Sequence, residues 1–187
     1  MQSLTIGWRS DRYRQQGSND LLISKQLLTK EKEMGYTHYW QRDVSKSNAE
    51  QYGKLALDAK KIVEYAISKD IAIADWGGEV LNGDEWNEGR FAFNGYRAES
   101  HESFIWQAQV KEPSYMSNEG YSFDFCKTAW KPYDCVVTAI LCRAKYHYGD
   151  SIKVSSDGYW SDWQTGRDLY EEVFGESAEC PFSEVSA

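Results

Sequence analysis

Lys127, Thr128, Lys131 and Asp134 fall within one short stretch, around a proline that opens an apolar run. Two ammonium groups and a hydroxyl at the start of a buried helix suit an anion, because unpaired N–H groups and the helix dipole already favour negative charge there. The plainer alternative gives Thr128 a turn to cap, leaves the lysines in solvent, and lets Asp134 satisfy the first helical amides. From sequence, both readings stay open.

Proton chemistry rests on few residues. The chain has three histidines. His38 sits in an aromatic strand, His101 stands beside Glu102, and His147 closes an apolar helix, where a positive charge complements the dipole. With Glu102 and Asp157 they are candidates for an acid–base or metal site. No His-x-x-x-His, His-Glu-x-x-His or carboxylate-rich metal loop occurs, so no metal ligand is assigned and each histidine taken alone favours a structural role. The catalytic candidates are His38, Glu102 and His147. Nucleophile chemistry has less support: there is no Gly-x-Ser-x-Gly elbow, and only Cys126, beside Lys127 and close to a helix start, has a setting that lowers a thiol pKa. The glycine-rich phosphate loops of nucleotide-binding folds are missing as well.

The elements that must position these groups predict one α+β domain. A chain of 187 residues supports one full core. An N-terminal extension over 1–33 carries the apolar patch Leu21-Leu22-Ile23, with self-association through it as one expectation. The domain spans 34–175: a strand at Tyr36 to Trp40, a helix opened by a Ser47/Glu50 capping box and running to about Lys69, and a short strand at Ile71 to Ala74. A Gly- and acid-rich loop from Asp75 to Arg90 leads to antiparallel strands at Phe91 to Gly95 and Glu102 to Val110. Period-two spacing puts Glu102 on the buried face with Phe104 and Trp106.

A polar loop from Lys111 to Gly120 precedes a central helix from Pro132 to about Tyr148, stopped by Gly149. A strand at Ile152 to Ser155, a turn, a helix from Asp162 to Phe174 and a tail over 176–187 complete the chain. The expected architecture is an antiparallel sheet packed against two long helices plus a shorter C-terminal one.

Aromatic residues make up 15% of the chain, enough rings to stack on a flat ligand as well as to fill a core. A net charge of −8 disfavours non-specific nucleic acid and anionic lipid as partners. Cys126, Cys135, Cys142 and Cys180 form no Cys-x-x-Cys pair and read as core cysteines of a reducing compartment. No apolar run reaches the roughly 18 residues of a membrane span, so a cytoplasmic protein with no membrane partner is expected.

Gly35-Tyr36-Thr37-His38-Tyr39-Trp40, Phe93-Asn94-Gly95, Ser100-His101-Glu102 with Phe104, Phe125-Cys126-Lys127-Thr128, Lys131-Pro132-Tyr133-Asp134 and Ser155-Ser156-Asp157-Gly158 resemble, in that order, an uncharacterised family of small bacterial and phage proteins. The resemblance covers about 34–175. It implies that His38, Asn94, Glu102, Lys127, Thr128, Lys131, Tyr133, Asp134 and Asp157 belong to its motifs. It supplies no activity or cofactor, and a phage origin would place the protein in the host cytoplasm. Trp130 stands where that family more often carries a polar or basic residue.

Three functional expectations follow. The first is a binding protein for a small anionic, nucleotide-like ligand held by Lys127, Thr128, Lys131, Tyr133, Asp134, Asn94 and Asp157, with Tyr39, Trp40 or Trp130 stacking on its flat part. The second is a hydrolase using His38, Glu102 or His147, with or without a metal. The third is a structural or virion protein. Whether the protein is an enzyme stays open at this level, and the cofactor is unknown.

Overall fold

The computed structural model describes residues 35–75, 77–81, 86, 89–110 and 120–182. The N-terminal extension, with Leu21-Leu22-Ile23, lies outside the described residues, as do most of the 111–120 loop and parts of the 75–90 loop.

Strand β1 (Thr37–Asp43) is the centre of a three-stranded antiparallel sheet, flanked by β5 (Tyr121–Lys127) and β6 (Ile152–Ser156). Its alternation turns His38, Trp40 and Arg42 inward, all buried. The register sets His38 opposite Cys126 on β5 and Ser156 on β6. A second antiparallel sheet has the order β2 (Ile73–Ala74), β3 (Arg90–Gly95) and β4 (Phe104–Gln107). A backbone bond from Glu102 N to Lys127 O, 3.2 Å, ties the start of β4 to the end of β5. Between the sheets Trp40 lies with Phe104 and Trp106 at centroid distances of 5.1 and 5.6 Å.

Three helices complete the α+β arrangement: α1 (Ala49–Ser68), α2 (Asp134–Tyr148) and the shorter α3 (Gln164–Phe174). Every residue of α2 from Asp134 to Cys142 is buried, as a helix without a polar face must be. It packs against both α1 and α3. Gly166 on α3 permits close approach, since a Cβ there would sit 2.0 Å from Thr138 Oγ1.

Several boundaries differ from expectation for local reasons. The capping box is Asn48 with Gln51, not Ser47 with Glu50: Asn48 Oδ1 accepts from Gln51 N at 3.0 Å and Gln51 Oε1 from Asn48 N at 3.1 Å. Asn caps as well as Ser, and the box moves one residue. α2 begins at Asp134 because Pro132 is taken up in a turn closed by Asp134 N to Lys131 O, 2.8 Å. Strand β4 is only Phe104–Gln107, so Glu102 precedes it and does not extend its buried face. A 3-10 turn (Trp160–Trp163) occupies the expected first turn of α3. The described part of the C-terminal segment is packed, with Phe182 bridged to Val154 and its ring 4.9 Å edge-on from Trp163.

Candidate functional site

Strand β1 carries His38 to the first residue of α2. His38 is wholly buried, and its Nε2 lies 2.7 Å from Asp134 Oδ1. The hydroxyl of Thr128, also buried, donates to the same carboxylate oxygen. On the other ring edge Nδ1 is 3.0 Å from Ser156 Oγ, which accepts from Gly158 N at 3.1 Å. An Nε2–H donating to Asp134 leaves Nδ1 of a neutral ring to accept the Ser156 hydroxyl. Tyr36 and Trp163 meet the imidazole edge-on at 4.8 and 5.0 Å, so the polar chain runs through an aromatic box. Burial raises the Tyr36 hydroxyl pKa, and Asp134 raises it further.

A second layer braces this chain. Glu102 Oε2 accepts from Lys127 N at 2.8 Å, while Tyr133 Oη donates to Glu102 O at 2.6 Å. Burial pushes the Tyr133 hydroxyl upward. Asn94 Oδ1 accepts from Gly95 N and His101 N, and its Nδ2 donates to His101 O and Ser103 Oγ, which closes the β3–β4 connection. His101 Nδ1 is 2.8 Å from Lys127 O. Asp157 holds the end of β1, accepting from Thr37 N at 2.9 Å and Tyr39 Oη at 3.1 Å.

The residues expected to hold an anion are thus brought to one end of α2, but the Thr128 hydroxyl and the Lys131 ammonium are engaged within the protein. Thr128 serves Asp134. Lys131 Nζ donates to Ala98 O at 2.8 Å and lies 4.0 Å from Glu99. The Lys127 chain crosses Gly35, where a Cβ would sit 2.0 Å from its Cε. Of the expected stacking rings, Trp40 is buried and offers no face to a ligand, and Tyr39 lies on the other face of β1.

His147 stands apart from the rest. Some thirteen residues further along α2, about 20 Å by helical rise, its Nε2 is 2.8 Å from Asp58 Oδ2. Arg143 Nε and Lys61 Nζ donate to the same carboxylate at 2.6 and 2.9 Å. Burial pushes Asp58 upward, but these three hydrogen bonds overcome it and hold the carboxyl at about 2. Burial lowers the His147 pKa against the pull of Asp58. Among the described residues no hydrogen bond joins any two of His38, Glu102 and His147. Cys126 is buried, and that burial raises its pKa, opposite to the lowering its lysine neighbour suggested. Among the described residues no group of three or more His, Cys, Asp or Glu side chains is placed to hold a metal ion.

Beside the start of α2 opens a cleft of about 580 Å³, with Trp130, Asp134, Asp162, Thr165 and Asp168 in its walls. Trp130 is 40% exposed, and one of its faces stacks on Tyr36 at 3.6 Å. Ala129 and Trp130 both adopt left-handed backbone, φ 50° and 59°. For a residue as bulky as Trp this conformation is strained, and such strain persists only where surrounding contacts hold it. The wall formed by the 3-10 turn and α3 escaped sequence reasoning. Asp162, Thr165 and Asp168 carry no motif and read as the wet side of an amphipathic helix. Tyr36 and Ser156 lie inside the quoted motifs, so a signal for them existed.

No protein-family model matches the chain, and no curated protein and no solved structure matches it.

Proposed function

We propose that the protein binds a small flat molecule, nucleobase-like in its ring and donor-rich at its edge, in the cleft at the start of α2. The observation that carries this reading is Trp130, held in strained backbone with one face on Tyr36 and 40% of its surface open. A cleft of about 580 Å³ suits one small ligand. Stacking on an indole is tolerant of ring identity and contributes about 1–3 kcal/mol. Charge selects the edge. Asp134, Asp162, Asp168 and Glu172 outnumber Lys69 and Lys131 in the walls, and Lys69 already lies 3.9 Å from Glu172. The walls therefore favour N–H groups over phosphates, which moves the ligand away from the anion that the lysines suggested.

Calorimetry with nucleobases, nucleosides and nucleotides tests this. Nucleosides are expected to bind more tightly than their triphosphates, with binding lost in Trp130→Ala. No binding across the panel, or equal binding by Trp130→Ala, removes the proposal. Tightest binding by triphosphates, lost in Lys131→Ala, would restore the anionic ligand in its place.

One observation favours a second reading, a hydrolase. Ser156, His38 and Asp134 form a hydroxyl–imidazole–carboxylate chain at 3.0 and 2.7 Å, the order of groups used to activate a serine. A fluorophosphonate reagent should then label Ser156, and His38→Gln should abolish labelling. An unlabelled Ser156 ends this reading.

A further inference from the structure

Away from the proposed cleft, at the other half of α2, two cysteines line one cavity of about 350 Å³. Cys142 belongs to α2 and is 4% exposed, whereas Cys180 belongs to the C-terminal segment and is exposed. We propose that Cys142 and Cys180 are a reactive dithiol, a modification site that takes a small-molecule disulfide and closes to an intramolecular bridge.

The segment carrying Cys180 is held on both sides of it. Before it, Glu176 Oε1 accepts from Arg143 Nη1 at 3.1 Å and from Tyr170 Oη at 3.2 Å, and Ala178 packs on the core. After it, Phe182 is bridged to Val154 and packs edge-on to Trp163. Cys180 is thereby kept at the cavity that Cys142 faces. Burial first, and Cys180 next, raise the Cys142 pKa. The remaining thiols stand elsewhere: neither Cys126 nor Cys135 lines this cavity, and Cys135 lies seven residues before Cys142, about 10 Å along the helix, beyond disulfide reach of it.

The chemistry balances with a disulfide RS–SR as oxidant. The exposed Cys180 thiolate attacks one sulfur of RS–SR, forming a mixed disulfide, and the first RS⁻ leaves and takes up a proton. Cys142, as thiolate, then attacks Cys180 Sγ. The Cys142–Cys180 bond forms, the Cys180–SR bond breaks, and the second RSH departs. Two protein thiols are oxidised, one RS–SR is reduced to two RSH, and the two thiol protons end on the leaving groups. Because burial raises the Cys142 pKa, closure should speed up as pH rises, about tenfold per unit while that thiol stays mostly protonated. Closure fixes the segment whose Phe182 buttresses Trp163, the ring set edge-on to His38.

The test treats the full chain with oxidised glutathione, quenches with acid, and follows intact mass and peptide maps. Wild type should pass through a glutathione adduct to a species lighter by two hydrogens, with Cys142 and Cys180 in one linked peptide. Cys142→Ala should stop at a stable adduct on Cys180. Cys180→Ser, altered at an exposed position, should give neither adduct nor bridge. A wild-type protein that keeps the adduct without closing, bridges through Cys126 or Cys135, or does not react, overturns the proposal.

Discussion

Replacing Asp134 by alanine should destabilise the protein far more than a polar residue at a helix start ordinarily would. His38 and Thr128 are both 0% exposed, so the two donors that lose the carboxylate lie out of contact with solvent. Two donors lose their main acceptor, His38 Nε2 at 2.7 Å and the Thr128 hydroxyl. Thr128 retains only a long contact of 3.5 Å to Tyr36 O. Each buried donor left unsatisfied costs about 1–3 kcal/mol, and breaking a buried paired group about 3–5 kcal/mol, so a loss of about 3–5 kcal/mol is expected. For a domain of this size that corresponds to a fall in Tm of about 6–20 °C.

Urea unfolding of wild type, Asp134→Ala, His38→Leu and the His38→Leu/Asp134→Ala double variant measures the effect, provided the m-values agree. The double variant replaces both partners with apolar groups and should cost at least about 2 kcal/mol less than the sum of its singles. A single-variant loss below about 1 kcal/mol, or simple additivity, would refute the claim that the polar chain is a closed, mutually dependent unit.

Further outcomes concern parts of the molecule outside that chain. Asp58 has a folded pKa of about 2 against an ordinary 3.8, so its contribution is full above that ordinary value and is lost as pH falls towards the folded one. Acid titration of stability should show a loss of about 2 kcal/mol over that window, absent in Asp58→Asn. Gly53→Ala should stabilise by about 0.5–1 kcal/mol, since nothing lies within 4 Å of a Cβ there in the second turn of α1. Gly166→Ala should instead destabilise by about 1–3 kcal/mol, because its Cβ would lie 2.0 Å from Thr138 Oγ1; chemical denaturation reads both. Ala129→Gly should gain up to about 1 kcal/mol by relieving a φ of 50°, and calorimetry of the same variant tells whether that backbone matters for ligand binding.

Much of the architecture follows from local pattern. The apolar run from Cys135 to Cys142 requires a buried helix, whatever surrounds it. Period-two alternation marks β1 and β3, and glycine marks the ends of α2 and α3, where Gly149 and Gly175 adopt positive φ. Those signals act over a few residues, which is why they survive in a single sequence. Capping was legible only to within one residue, since Ser47 and Asn48 compete for the same role at nearly equal free energy.

Pairing of distant side chains was decided by tertiary structure alone. Sequence places His38 and His147 on equal terms, one in an aromatic strand and the other at the end of an apolar helix. Strand register then sends His38 to Asp134, 96 residues away, and helix packing sends His147 to Asp58, 89 residues away. No local rule encodes these choices, because each depends on where a sheet and a helix come to rest. The same holds for the lysines of the Lys127–Asp134 stretch: their charge is plain in the sequence, but whether it faces a ligand or a carbonyl such as Ala98 O is set by a neighbouring turn. The acidic wall that Asp162, Asp168 and Glu172 add to the cleft is likewise invisible until α3 packs beside the start of α2.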